Sequence, residues 1–235
     1  SISWVDGQRG VLVYRGIDIR ELAEHSTFEE TAYFLWFGHL PTQAELDRVR
    51  DQMATERFVA PSILETLKSC PPNAVPMHIL MAGVGLLATH DPDAQDNSHE
   101  AEVRKAIRLT SQMATLVAAY QRIREGKEPV APDLSLSHAA NFLYMLRGTK
   151  PSETEARVMD IALILHADHE FNASTFAARV VASTLADMHS AVIGALGALK
   201  GPLHGGANEQ VMGMLLKIQE PDKAPDWVRD ALANK

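Results

Sequence analysis

The sequence predicts a mainly α-helical fold with a short β-hairpin at its N-terminus. Three observations carry that expectation. Ser or Thr stands three residues ahead of Glu at several points that precede apolar runs, the mark of a capped helix start. Long segments place apolar residues at helical spacing. Only the opening residues combine alternation with turn chemistry, and no fixed-period repeat suggests a solenoid.

The elements follow in order. In SISWVDGQRGVLVYRG, Ile2 and Trp4 alternate with polar residues, Asp6-Gly7 and Gly10 supply turn chemistry, and Val11 to Tyr14 form the return strand. No strand is expected after Tyr14. Ser26 and Glu29 read as a capping box ahead of TAYFLWF, which Gly38 closes. Thr42 with Glu45 is a second pair, after which Leu46, Val49 and Met53 share one face. Ser62 with Glu65 and Ser152 with Glu155 repeat the device. Pro76 suits the first turn of MHILMAGVGLLATH. A long helix is expected from about His99 to Arg124, with Val103, Ile107, Met113, Val117 and Tyr120 at helical spacing. DPDAQDNS (91–98) and EGKEPVAPDLS (125–135) are polar loops. The whole amounts to about ten helices.

Composition narrows the function classes. The 235 residues suit one large domain, or one domain and part of a second. Hydrophobic residues make up 46% and charged residues 22%, ordinary for a soluble globular chain. A net charge of −8 with no basic stripe argues against nucleic acid. No apolar run reaches the roughly 18 residues of a membrane helix. Cys70 is the sole cysteine, so an internal disulfide is impossible, which fits a reducing, cytoplasmic setting. The chain starts at Ser1 and stops inside the charged run PDWVRDALANK, so it is expected to be part of a longer protein.

Two stretches could carry chemistry. In LILHADHEFNAST (163–175), His166 and His169 have the spacing of one helix face. Asn172 and Ser174 favour helix boundaries, so a helix is expected to end near Glu170 and another to start near Ser174. That sets His169 at a helix terminus beside a polar break. His166 reads as structural, facing the core, and His25, His39, His78, His90, His99, His138 and His189 are also read as structural. HADHE lacks HExxH spacing and a third ligand, so no metal is expected.

The second stretch is KGPLHGGANE (200–209). Gly205 and Gly206 would let backbone approach a ligand beside His204. ANEQVMGMLLKIQ looks helical, which puts His204 just before a helix N-terminus. The positive end of that helix disfavours imidazolium, leaving a neutral ring that donates one N–H. Such a ring can polarise a carbonyl and stabilise the adjacent enolate. Ser174 is the candidate partner for the other ring nitrogen, fixing the tautomer.

These segments resemble the citrate synthases. WVDGQRGVLVYRGIDIRELA (4–23) is similar to the family's N-terminal hairpin and first helix. LSHAANFLYMLRG (136–148) and ILHADHEFNAST are similar to its central helices, and GPLHGGANEQVM to its catalytic turn. The resemblance implies a multi-helical two-domain homodimer, with residues 1–207 in the large domain and 208–235 starting the small one. It implies an acyltransferase that condenses acetyl-CoA with oxaloacetate and hydrolyses citryl-CoA to citrate and CoA. CoA enters with the substrate, and no cofactor is held permanently. His204, supported by Ser174, would donate to the thioester oxygen as the enol forms. His169 would bind oxaloacetate, Asn172 would line the same pocket, and Gly205 and Asn208 would support it.

The chain departs from the family pattern in one respect. The family's second catalytic histidine (in GxGHxVY), the arginine of the following DPR, the catalytic aspartate and other oxaloacetate-binding arginines have no match before Lys235. These residues alone are therefore expected not to make citrate. Two alternatives stand beside this reading. One is 2-methylcitrate synthase, which uses propionyl-CoA. The other is a non-catalytic helical interaction module.

Overall fold

The computed structural model describes residues 2–233, apart from the side chains of residues 207–209. Strand β1 (Ser3–Asp6) pairs antiparallel with β2 (Val11–Tyr14), placing Ser3 opposite Tyr14. A two-residue strand, β3 (Ile17–Asp18), extends the sheet beyond the expected hairpin. The helices are α1 (Ile19–His25), α2 (Phe28–Phe37), α3 (Gln43–Thr55), α4 (Pro61–Lys68), α5 (Pro76–His90), α6 (His99–Arg124) and α7 (His138–Arg147). They continue with α8 (Glu153–Leu165), α9 (Ala173–Ala182), α10 (Met188–Leu199), α11 (Gly206–Ile218) and α12 (Ala224–Ala233).

Helix starts test the capping argument residue by residue. The boxes at Thr42–Glu45 and Ser152–Glu155 form with both halves in place. At α2 the cap lies one residue later than expected. Thr27 accepts from the Glu30 amide, and the Ser26 hydroxyl donates to Glu30 Oε2 at 2.7 Å. Glu29 turns inward, and its Oε1 accepts the His138 amide at 2.7 Å. At α4 the Ser62–Glu65 box does not form. Pro61 takes the first turn after an Ala60 cap, which leaves Ser62 inside the helix. Gly38 ends α2 with φ 86°, a left-handed turn that a Cβ would disfavour.

In β1 the small polar residue is buried and the aromatic one faces out. Trp4 is 49% exposed, whereas Ser3 is 3% exposed. The buried face of this strand carries a hydroxyl because it meets polar partners, described below.

The long helix α6 runs through the centre, with α3, α4, α5, α7 and α10 against it. Its Leu109 and Leu116 join Ile63 and Leu67 of α4, Val84 and Leu87 of α5, and Leu196 of α10 in one cluster. A second cluster joins Tyr33, Leu46, Val49, Met53 and Ile107. A third, smaller cluster matters most for the site. In it Tyr14, Leu22, Phe34 and Ile164 lock the hairpin onto the C-terminal end of α8. Helices α5 and α10, apolar on more than one face, pack against each other, and α10 lies mainly on α9.

Candidate active site

The segment 166–172 joins α8 to α9. Helix α8 stops at Leu165, short of the expected end near Glu170. The hairpin supplies the reason. The Tyr14 hydroxyl donates to the Ile164 carbonyl at 2.9 Å and accepts the Asp168 amide at 3.2 Å. Groups that another helical turn would have paired are thus taken by a distant strand. His166 becomes the C-cap, exposed rather than in the core, with Nδ1 2.7 Å from the Ala162 carbonyl. His166 and His169 therefore share no helix face, although their ring centroids lie 6.5 Å apart. His169 is exposed.

Asn172 caps α9, its Oδ1 accepting the Thr175 amide at 2.9 Å. Its side-chain oxygen thus serves the backbone. Two residues on, in the first turn, Ser174 Oγ lies 2.7 Å from His204 Nε2 and 3.0 Å from the Ala195 carbonyl on α10. The pairing of Ser174 with His204 is the one the sequence suggested. The Ala195 carbonyl is an addition that nothing in the sequence signalled.

His204 is half-buried, in the turn between α10 and α11, directly ahead of the α11 N-terminus. Its amide donates to the Gly201 carbonyl at 3.0 Å. The Gly205 amide donates to the Leu199 carbonyl at 2.9 Å, and a Cβ here would fall 2.2 Å from that oxygen. The direction a side chain would take at Gly205 is thus filled by the end of α10. The Asn208 side chain lies outside the described residues.

The Ser174 hydroxyl has one proton and two acceptors within reach. Donated to Ala195, it leaves Ser174 Oγ to accept Nε2–H from the ring. Donated to Nε2, it makes Nδ1 the protonated nitrogen of a neutral ring and hence a donor to anything beyond. Turning one hydroxyl thus exchanges the ring's outward face between acceptor and donor.

A polar cavity of about 540 Å³ opens elsewhere, walled by Glu29, Arg50, Arg57, Ser135, Arg157 and Asp160. It contains none of the residues above. Arg157 there is already committed to Ser26, Ala23 and Glu24 carbonyls and to Asp160. Among the described residues, no group of three or more His, Cys, Asp or Glu is placed to hold a metal ion.

The family model for the citrate synthase C-terminal domain matches residues 1–235. The chain belongs to the citrate synthase family. It is 45% identical to the citrate synthase of Haloferax volcanii, over 98% of this chain and 62% of that protein. It is 48% identical to citrate synthase 2 of Bacillus subtilis, over 95% of this chain and 60% of that protein. It is also 43% identical to the 2-methylcitrate synthase of Mycobacterium tuberculosis, over 100% of this chain and 59% of that protein. The crystal structure of citrate synthase from Thermotoga maritima superposes with a TM-score of 0.83 at 44% identity, covering 100% of this chain and 62% of that one. The Thermoplasma acidophilum citrate synthase, solved as a ternary complex with carboxymethyl coenzyme A and oxaloacetate, superposes at 0.88 with 30% identity, covering 99% and 61%. This citrate synthase family chain therefore spans about three fifths of the relatives it matches.

Several residues around the site escaped sequence reasoning: Ser3, Tyr14 and Asp168, besides Ala195. The contacts of Ser3, Tyr14 and Asp168 join positions 150 or more apart, such as Tyr14 with Ile164. No local pattern encodes such a pairing.

Proposed function

We propose that the protein carrying this stretch is a citrate synthase that condenses acetyl-CoA with oxaloacetate. The observation that carries the reading is the 2.7 Å contact between Ser174 Oγ and His204 Nε2, at the start of α11. With the Ser174 hydroxyl donating a hydrogen bond to Nε2, the neutral ring carries its proton on Nδ1, and His204 Nδ1–H donates to the thioester oxygen. A base takes a methyl proton, and the resulting enol carbon forms a bond to the oxaloacetate carbonyl carbon while that carbonyl's π pair moves to its oxygen, which takes a proton from an acid to become the hydroxyl of citryl-CoA. Donors fixed before the charge develops stabilise it with little reorganisation. Water then cleaves the C–S bond of citryl-CoA, giving citrate and free CoA. His169 binds oxaloacetate, and Asn172 holds its wall by capping α9. Gly205 and Asn208 are supporting residues, Gly205 by seating the turn on α10.

The base, the second histidine and further arginines come from outside residues 1–235, so this stretch alone makes no citrate. We assign residues 1–207 to the large domain and 208–235 to the small one. The exposed Met212, Leu215, Leu216 and Leu232 of α11 and α12 support that division, as apolar faces awaiting the rest of their domain. Exposed Phe171, Phe176 and Val180 support a homodimer. Among the described residues, no helix is long and apolar enough to cross a membrane. A cytoplasmic location belongs to the same proposal.

Release of CoA thiol, with citrate identified by mass, tests the activity on the full-length protein. His204→Ala should lower kcat by about 10²–10³-fold. A helical interaction module would lose nothing measurable. The relative named 2-methylcitrate synthase supports a second reading, with propionyl-CoA as substrate. One methylene changes discrimination by only about 1–3 kcal/mol, so the ratio of kcat/KM for the two thioesters decides between them.

A further inference from the structure

Segment 166–172 carries His169 yet has no regular structure of its own. What fixes it comes from the other end of the chain. The Ser3 hydroxyl donates to Asp168 Oδ1 at 2.5 Å and accepts the Glu170 amide at 2.8 Å. The Glu170 amide is shared with Asp168 Oδ1, also at 2.8 Å. The Val5 amide donates to Glu170 Oε1 at 3.1 Å. The Tyr14 hydroxyl holds the Asp168 amide. Both neighbours of His169 are thus tied to β1 or β2, while His169 itself is exposed. Glu170 stands at φ 57°, a left-handed conformation that a side chain disfavours and that surrounding contacts must maintain.

We infer that the N-terminal hairpin is a clasp for the His169 segment, with Ser3 and Glu170 as positioning residues for oxaloacetate binding. This rests on the citrate synthase reading above. The logic is geometric. A ring on an unsupported segment points where its backbone points, and both flanking residues are fixed by hydrogen bonds from β1. Errors of about 1 Å in a binding group can cost as much as 10²-fold. Ser3 is buried in a strand whose large residues face solvent, which is unusual for a core position but suits a hydroxyl that must both donate and accept.

The test uses the full-length protein. Ser3→Ala removes a donor and an acceptor and should raise KM for oxaloacetate by about tenfold. Turnover at saturating oxaloacetate should stay within about twofold. Ser3→Thr, which keeps the hydroxyl, should restore KM. Glu170→Ala, which loses the Val5 contact, should shift KM in the same direction and serves if Ser3→Ala folds poorly. In a His169→Ala background, Ser3→Ala should have no further effect on KM. An unchanged KM, with only the melting temperature or active fraction reduced, would overturn the clasp. Wild-type protein that forms no citrate would instead overturn the functional reading on which it rests.

Discussion

His138 gives a quantitative test of the packing. It opens α7, is 4% exposed, and stacks against Phe28 with ring centroids 5.1 Å apart. Its Nδ1 has no hydrogen-bond partner. Burial, reinforced by the nearby Arg57 charge, lowers its pKa from 6.5 to about 4. In the unfolded chain the ring takes up a proton near pH 6.5, while in the folded chain it does so only near 4. Between these values the unfolded state binds more protons, so stability falls as pH falls. A gap of about 2.5 units at 1.36 kcal/mol per unit gives about 3 kcal/mol lost from pH 7 to pH 4. The carboxylates held low by partners, such as Asp93 and Glu155 at about 2, lose their contribution as pH falls from the ordinary carboxylate range towards 2, below most of the histidine window. The two windows are therefore separable. Urea melts at half-unit steps from pH 7 to 4.5, on wild type and His138→Phe, isolate the difference. The variant should lose the acid slope that belongs to this ring. Equal slopes in both proteins would refute the claim that His138 is buried and neutral.

Other outcomes follow from single contacts. Gly205→Ala should destabilise by about 1–3 kcal/mol in urea unfolding, because its Cβ meets the Leu199 carbonyl. It should also reduce turnover, since the displaced turn carries His204. Thr42→Ala breaks a complete capping box and should cost about 1 kcal/mol, while Ser62→Ala, at a position that caps nothing, should stay within about 0.5 kcal/mol. Asn172→Ala should destabilise α9 by about 1 kcal/mol and lower kcat through the displaced Ser174, as seen by parallel melts and thiol release.

Local chemistry in the sequence located much of this. The span of α6, the boxes at Thr42 and Ser152 and the Pro76 start are set by neighbouring residues, and they stand where periodicity and capping put them. The pairing of Ser174 with His204 was legible because both flank helix starts. Long-range competition defeated the rest. Helix α8 ends early because Tyr14 takes its last groups. Alternation in β1 marked two faces without saying which is buried, and Asp168 decides that by taking the Ser3 hydroxyl. The Leu199 carbonyl beside Gly205 was not legible, because a glycine required by a passing carbonyl looks in one dimension like any other.

The bond between Ser3 and Asp168 also bears on biosynthesis, since its partners stand 165 residues apart. At about 5–20 residues per second, a ribosome delivers the second partner roughly 8–33 s after the first. A two-stranded hairpin is marginal by itself in water. The first strand must therefore wait, unlatched, while the intervening residues are made, and a chaperone or a neighbouring nascent chain could compete for it during that interval.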